Sequence, residues 1–312
     1  MCCLSVRVNS LSCFPTLPLS NFWESAIFPF LFRSHQYSDW EHADDVKLFN
    51  TTNNTATLQK DLDFVSEWSK TWQLQISTRK CSVLHIGKKN TNIKYKLDGH
   101  YLTDDPHPVK DLGVFISNDL SAKSHFNYIA KKALRVVNLI LRSFFSRNTT
   151  LLTRAYKTFP RPILEYSSPV WNPYHISDIN TIERVQKYFT RRVLHSSEYN
   201  KIPYATRFEI LGLENLELRH LRQDLCLTHR IIYCNFFPVK DYFSFNHNNT
   251  RANNRFKLNI NHFNLDCRKY DFCNRVVNAW NTLPDSVVSS QNPQSFNQKL
   301  STIDLTPFLR GP

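Results

Sequence analysis

The chain has 312 residues, and 39 Lys and Arg against 26 Asp and Glu give it a formal net charge of +13. It contains only five glycines, far fewer than the roughly 7% of ordinary proteins, and no two of them are close together. Because loops that bind phosphate need several neighbouring glycines, this composition excludes G-x-G-x-x-G dinucleotide folds, Walker-type NTPases and kinases.

Residues 1–40 differ in composition from the rest and predict an irregular leader, with neither a helical period nor strand alternation. Pro15 and Pro18 interrupt the start, which lacks the apolar stretch of a secretory signal. The apolar run 26–32 is far shorter than the about 20 residues that span a bilayer. With eight cysteines in no disulfide-rich spacing, these features predict a soluble nuclear or cytoplasmic protein that is not secreted and has no membrane partner.

Residues 41–118 predict one helix followed by a small antiparallel sheet. A helix should begin near Thr55, because apolar residues recur at helical spacing over 58–72. Alternating residues then predict a strand over 81–86 and a hairpin at Asp98-Gly99, a dipeptide typical of tight turns. Residues 112–116 indicate a further strand.

Two helices with opposed apolar and basic faces are predicted within residues 119–200. Their apolar faces run over 126–144 and 179–193. The basic faces consist of Lys131, Lys132, Arg135 and Arg142 in the first helix and Arg184, Lys187 and Arg191 in the second. One such face is usually an ordinary solvated surface. Two in succession, in a chain of this charge, leave two interpretations open: ordinary solvated faces, or contacts to nucleic-acid phosphates, which give affinity without sequence choice.

Residues 201–312 predict a C-terminal helical region. Helices are expected over 217–233, 275–283 and 296–300, separated by an Asn-rich linker at 244–264. The whole chain therefore predicts an α+β fold, with a small sheet first and helices after it.

The adjacent carboxylates Asp44 and Asp45 are the sharpest local feature. Two carboxylates at a tight turn repel each other, so such a pair usually has a counter-ion, and Mg²⁺ prefers carboxylate oxygens. In two-metal phosphoryl transfer such ions flank the attacking and leaving oxygens. Many surface turns also contain an Asp-Asp pair without any metal, so the pair alone leaves both interpretations open.

A series of motifs follows the Asp-Asp pair in a fixed order. They are His42-Ala-Asp-Asp45, Leu58-Gln-Lys-Asp61-Leu-Asp63, Trp68-Ser-Lys-Thr-Trp72, Lys80-Cys81, Lys110-Asp-Leu-Gly113, Arg161-Pro-Ile-Leu-Glu165-Tyr, Val170-Trp171-Asn-Pro173, Ile182-Glu183-Arg-Val185-Gln186 and Trp280-Asn-Thr-Leu283-Pro284. Over roughly residues 42–300, this ordered set resembles the C-terminal half of the reverse transcriptases of non-LTR retrotransposons, in the jockey and chicken-repeat-like groups.

The resemblance implies a partial polymerase palm over 41–118 and a helical thumb over 119–200 that clasps RNA, DNA or an RNA–DNA hybrid. Asp44 and Asp45 would be metal-binding palm aspartates for Mg²⁺, with His42 where the family usually has Tyr or Phe. Lys80 would be the palm lysine near the incoming nucleotide. The segment from Asp98-Gly99 to Gly113 would correspond to the primer grip.

The resemblance also implies that catalysis is incomplete. The family's other metal-binding aspartate lies upstream on a separate palm strand, and the only acidic residues before His42 are Glu24, Asp39 and Glu41. We therefore expect no strand opposite the Asp-Asp turn and no polymerase activity from this chain alone. The hypotheses are a truncated reverse transcriptase that still binds nucleic acid, a non-enzymatic nucleic-acid-binding protein derived from the element, and a non-functional relic.

The remaining candidates favour structural roles. The spacing of Cys226, His229 and Cys234 does not match a zinc knuckle, so free buried thiols are expected. Four tryptophans are expected to fill cores rather than stack on bases: Trp68, Trp72, Trp171 and Trp280.

Overall fold

A computed structural model describes residues 2–7, 40–42, 45–50, 55–87, 90, 92–104, 108–146, 148–194, 202–234, 238–246 and 256–311. The chain divides into two compact units, Met1–Ser121 and Ala122–Pro312. Within the described residues every strand belongs to the first unit, and the second is helical apart from a bridge between Phe245 and Leu258. The predicted α+β class is confirmed.

The first unit contains nine short strands. They are β1 (Cys2–Arg7), β2 (Trp40–His42), β3 (Asp45–Asn50), β4 (Ser82–His85), β5 (Lys96–Leu97), β6 (His100–Tyr101), β7 (Thr103–Asp104), β8 (Val109–Asp111) and β9 (Val114–Ile116). Five of them form one sheet in the order β2-β3-β1-β4-β7, and the others form the hairpins β5-β6 and β8-β9.

The central strand of the five-stranded sheet comes from the beginning of the chain. β1 runs antiparallel to both β3 and β4, whereas β4 and β7 are parallel. The expectation of an irregular leader is therefore wrong over Cys2–Arg7, and that of a purely antiparallel sheet is wrong at β7. β1 is hydrogen-bonded to a strand on each edge, and such a central strand does not need alternating apolar and polar residues. Half-buried strands are identified by that alternation, so β1 was not predicted.

The helix α1 (Thr55–Thr71) confirms the predicted helix and supplies the core of this unit. Leu58, Leu62 and Val65 on its buried face pack in one cluster with Val83 of β4 and Leu97 of β5. The same spacing predicts burial of Trp72, which lies just beyond the helix and is 40% exposed.

Both hairpins of the first unit turn through two residues with positive φ. The predicted turn at Asp98-Gly99 is confirmed, with φ of +50° and +77°. Leu112 and Gly113 adopt the same combination, with φ of +43° and +90°, so the strand predicted over 112–116 is instead the turn and second strand of the hairpin β8-β9. Such two-residue turns match the twist of the flanking strands.

The second unit contains twelve helices within the described residues. They are α2 (Lys123–Ser143), α3 (Thr149–Thr158), α4 (Pro160–Glu165), α5 (Ser168–Trp171), α6 (Ile176–Val193), α7 (Tyr204–Leu211), α8 (Leu216–Tyr233), α9 (Val239–Tyr242), α10 (Asp266–Lys269), α11 (Phe272–Thr282), α12 (Asp285–Val288) and α13 (Pro293–Leu300). The predicted helices over 126–144, 179–193, 217–233, 275–283 and 296–300 are confirmed as α2, α6, α8, α11 and α13.

Helix α8 organises the second unit. It packs against α4, α5 and α6 on the N-terminal side of the chain and against α11 and α13 on the C-terminal side. Helices from the predicted regions 119–200 and 201–312 thus belong to one compact unit. The middle of the predicted linker 244–264 lies outside the described residues, but Leu258 within it is buried in the core with Trp280 and Phe296.

Among the described helices, none is both long and apolar enough to cross a membrane.

Candidate functional site

The antiparallel strands β2 and β3 flank Ala43 and Asp44 in the sequence, and His42 pairs with Asp45. Asp45 is the first residue of β3, and Asp44 lies outside the described residues. Within the described part of the chain, no group of three or more His, Cys, Asp or Glu residues could hold a metal ion. The Mg²⁺ site at Asp44 and Asp45 therefore stays a prediction.

A strand does lie beside the Asp-Asp turn, which the sequence did not lead us to expect. β1 pairs with β3 so that Arg7 is the register partner of Asp45. The sequence of β1, Cys-Cys-Leu-Ser-Val-Arg, contains no acidic residue. The strand next to Asp45 therefore contains no residue that could serve as the second carboxylate that two bound metal ions would require.

The sheet topology brings Asp45 and Lys80 to the same end of the sheet. Because β1 is antiparallel to both neighbours, the end of β1 at Arg7 lies beside the starts of β3 and β4. Lys80 ends a short 3-10 helix, Thr78–Lys80, two residues before β4, and is exposed. With β1 between β3 and β4, the backbones at Asp45 and Lys80 are separated by two strand spacings, or roughly 10 Å.

The sequence analysis did not predict the ion pair between Lys47 and Asp111. The Nζ of Lys47 lies 2.8 Å and 2.9 Å from the two carboxylate oxygens of Asp111, and Lys47 is 9% exposed. Lys47 follows Asp45 by two residues, and Asp111 belongs to the Lys110-Asp-Leu-Gly113 motif. The only sequence signal is a lysine inside the apolar run of β3. Because its charge is neutralised, Lys47 serves to join β3 to the hairpin β8-β9.

The four predicted basic residues of α2 are exposed. Lys131, Lys132, Arg135 and Arg142 face solvent, opposite the buried residues Phe126, Ile129, Ala133, Val137 and Ile140. None of the four forms an ion pair within the described part of the chain, and α2 itself contains no Asp or Glu. This helix therefore carries an uncompensated positive face.

Helix α6 packs against α2 and adds a second positive face. Arg184 and Arg191 are exposed as predicted, but Lys187 is half-buried and its Nζ lies 5.1 Å from the centre of the Tyr204 ring. Lys187 is therefore a less open cation than the sequence predicts, because a cation over an aromatic face is already partly stabilised. Arg192, which the sequence analysis missed, is exposed and lies 5.5 Å from the Tyr188 ring centre.

A hydrogen bond joins these two positive faces. The hydroxyl of Tyr188 on α6 donates to Oδ1 of Asn138 on α2 at 2.8 Å. By helical spacing, Asn138 lies between Arg135 and Arg142, and Tyr188 lies between Arg184 and Arg191. The two rows therefore lie side by side, and we call them together the α2/α6 surface: Lys131, Lys132, Arg135, Arg142, Arg184, Arg191 and Arg192.

The acidic residues of the later motifs join helices through hydrogen bonds. Burial raises the pKa of Glu183, whose carboxylate nevertheless accepts hydrogen bonds from the hydroxyl of Tyr204, from Nε2 of Gln186 at 3.1 Å and from the amide of Leu216 at 3.0 Å. Glu183 thereby ties α6 to α7 and to the first residue of α8.

The other motif residues have similar structural roles. Arg219 of α8 makes a bidentate contact to Glu165. Trp171 is buried and donates its indole N–H to the carbonyl of Tyr166 at 2.8 Å. Asn281 bonds both the amide and the carbonyl of Leu258 at 2.8 Å. These motif residues therefore stabilise the packing of the second unit.

Two of the predicted core tryptophans are confirmed, and the predicted thiols are free but not buried. All described cysteines after β4 are free, with Cys226, Cys234 and Cys273 half-buried and Cys267 exposed. His229, between Cys226 and Cys234 in the sequence, is fully buried, and one of its ring nitrogens lies 2.7 Å from the carbonyl of Ser290. Trp171 and Trp280 are buried.

Comparison with known proteins gives one similarity. The chain is 26% identical over 124 residues to the uncharacterized protein B0403.1 of Caenorhabditis elegans. The match covers 40% of this chain and 63% of that protein, so the chain spans less than two thirds of the relative's length. No protein-family model and no solved structure matches the chain.

Proposed function

We propose that this chain is a nucleic-acid-binding protein derived from a non-LTR retrotransposon reverse transcriptase, and that it is not a polymerase by itself. The observation that carries the proposal is the α2/α6 surface, where two adjacent helices present seven cationic side chains side by side. RNA, DNA or an RNA–DNA hybrid would bind there through its phosphates, without base-specific contacts.

Charge compensation supports this role for the α2/α6 surface. Several cationic side chains elsewhere in the second unit are paired: Arg219 and Arg222 bond Glu214, and Arg275 bonds Asp224. The α2/α6 cations form no such pair among the described residues. Exposed, uncompensated cations attract a polyanion because they replace its condensed counterions.

The proposal is tested by salt-dependent binding of a fluorescent RNA or RNA–DNA hybrid. The variant Lys131→Gln/Arg135→Gln/Arg142→Gln should bind more weakly, with a log Kd versus log salt slope reduced by about three, one for each lost phosphate contact. The control Arg230→Gln/Lys240→Gln/Lys269→Gln removes the same charge from exposed positions on α8, α9 and α10. Equal affinities and slopes in the two variants would remove the proposal.

The proposed lack of polymerase activity rests on the strand beside Asp45. β1 pairs with β3 next to Asp45 and contains no acidic residue, so this strand supplies no second carboxylate for Mg²⁺ at Asp44 and Asp45. Primer extension with Mg²⁺ should therefore give no product with the purified chain. Metal-dependent extension that disappears in an Asp45→Asn variant would show instead that the chain is an active polymerase.

A further inference from the structure

Three apolar side chains lie exposed among the cations of α2. Tyr128 and Leu139 are 37% and 63% exposed, and Phe145, three residues beyond Arg142, is 99% exposed. No other large apolar side chain that the structure describes is as exposed as Phe145. Single exposed apolar residues are common on protein surfaces, so their position relative to the cations decides whether these three have a role.

Helical spacing places Tyr128 and Leu139 within the cationic row of α2 rather than beside it. At about 100° per residue, five side chains fall within about 80° of one another around the helix axis: Tyr128, Lys132, Arg135, Leu139 and Arg142. The buried residues of α2 lie on the opposite side. Apolar and cationic side chains therefore share one exposed stripe, roughly 21 Å long. Together with Phe145, which follows at its end, we call these residues the α2 stripe.

The aromatic rings of this surface differ in how open they are. The ring of Phe145 is open to water on both faces, because almost the whole side chain is exposed. Tyr128 is also exposed, at the other end of the α2 stripe. The ring of Tyr188 on α6 is half-buried, with Arg192 5.5 Å from its centre and its hydroxyl bonded to Asn138. A ligand can therefore reach an aromatic face most easily at the two ends of the α2 stripe.

The combination of side chains in the α2 stripe selects a ligand class. The cations require a polyanion, since α2 contains no Asp or Glu, and exposed rings favour a ligand with flat apolar faces. A nucleic-acid duplex offers phosphates to the cations but keeps its base faces stacked inside. A single strand offers phosphates and base faces together. A membrane surface fits less well, because membrane-bound helices separate their cationic and apolar faces, whereas the apolar face of α2 is buried in the core.

We propose that the α2 stripe binds single-stranded nucleic acid in preference to duplex. Bases stack on Tyr128 and Phe145, and the phosphates between them contact Lys132, Arg135 and Arg142. This inference rests on the proposed function and deepens it by naming the form of nucleic acid that is bound. Stacking tolerates any sequence because every base has a π face, so the preference for a single strand needs no base-specific contact.

The test measures fluorescence anisotropy of a labelled DNA single strand of about 12 nucleotides and of its blunt duplex. Tyr128→Ala/Phe145→Ala should bind the single strand about tenfold more weakly than the wild type and the duplex equally well. The matched control Phe159→Ala/Tyr166→Ala removes the same two types of side chain from positions that are each 58% exposed, and it should keep the wild-type affinities. Circular dichroism verifies folding of both variants. Equal single-strand affinities in the two variants would overturn the proposal.

An abasic strand of the same length tests stacking directly, because it keeps the phosphates and lacks the bases. The wild type should bind the abasic strand about tenfold more weakly than the normal strand, and Tyr128→Ala/Phe145→Ala should bind the two strands equally. Equal wild-type affinities would show that only phosphates are bound and would overturn the proposal. If the wild type also bound phosphatidylserine vesicles and the variant did not, that result would assign the stripe to a lipid surface.

Salt dependence separates this inference from the proposed function. The aromatic substitutions remove no charge, so the slope of log Kd against log salt should stay at the wild-type value, whereas Lys131→Gln/Arg135→Gln/Arg142→Gln reduces it. A reduced slope in the charge variant, with unchanged single-strand affinity in the aromatic variant, would support the proposed function and contradict the stacking. An unchanged slope in the charge variant would contradict both.

Discussion

At the scale of single residues, His125 makes the stability of the second unit dependent on pH. It is 1% exposed, its ring centre lies 5.1 Å from that of Trp171, and burial lowers its pKa from 6.5 to about 4. Since the unfolded chain binds the proton more tightly, stability is fully present above pH 6.5 and is lost as the pH falls toward 4.

We therefore expect the free energy of unfolding to fall by about 2 kcal/mol between pH 7 and pH 5 on account of His125 alone. A His125→Gln variant should lose this part of the pH dependence, as measured by urea unfolding at each pH. His220 and His229, whose pKa burial also lowers, contribute equally in both proteins. The exposed His262→Gln is the control and should keep the wild-type pH dependence. An unchanged slope in His125→Gln would contradict the assignment.

The buried pair of Asp224 and Arg275 predicts a large effect of one substitution. Asp224 is fully buried and accepts from Nε and Nη2 of Arg275 at 2.8 Å and 2.9 Å. Arg275→Met should cost roughly 3–5 kcal/mol of unfolding free energy, because an unpaired carboxylate is left in the core. Arg268→Gln, which removes an exposed pair 3.9 Å from Asp271, should cost less than about 1 kcal/mol. Similar losses in the two variants would refute this distinction.

At the scale of elements, the two hairpin turns predict substitutions of opposite sign. Gly99 has φ of +77° with open space around its Cβ position, so Gly99→Ala should cost about 1 kcal/mol through backbone conformation alone. Leu112 holds φ of +43° with a side chain, so Leu112→Gly should stabilise the first unit or be neutral. Urea unfolding measures both effects, and a destabilising Leu112→Gly would show that its side-chain contacts outweigh the strain.

Helices proved more predictable than strands, for a physical reason. A helix on the surface of a core needs only one apolar stripe, and this stripe predicted α1, α2, α6 and α8. Residue patterns did not predict two elements of the first unit. β1 is hydrogen-bonded to strands on both edges and has no alternating pattern. The turn at Leu112-Gly113 has leucine where Asn or Gly is usual. Pairing with β3 and β4 decides β1, and the pairing of β8 with β9 sets the turn at Leu112-Gly113; the local residue pattern indicates neither.

At the scale of the whole molecule, the division after Ser121 predicts that residues 122–312 fold by themselves. This unit has its own core around Val276, Trp280 and Phe296. Its C-terminal end is held because the amides of Arg310 and Gly311 donate to the carboxylate of Glu217 at 2.8 Å and 2.9 Å. The isolated unit should show helical circular dichroism and a single cooperative urea transition. A gradual, non-cooperative loss of helicity would contradict it, and removing residues 305–312 should lower the midpoint.

The candidate sites differ in how far the sequence revealed them. The cations of α2 and α6 could be identified, because helical spacing fixes which residues face solvent. The sequence did not show that these two sets of cations lie next to each other. Their proximity is seen in the hydrogen bond between Asn138 of α2 and Tyr188 of α6, which are far apart in the chain. The predicted roles of Asp44, Asp45 and Lys80 remain predictions.

The central position of β1 also governs the order in which the first unit can assemble. Cys2 pairs with Asn50 on one side and with His85 on the other, so β1 can complete its pairing only after β4 has been synthesised. Closing so long a loop is entropically slow, whereas the hairpins β5-β6 and β8-β9 require only local contacts. The sheet should therefore close last, with the first residues of the chain inserting between β3 and β4.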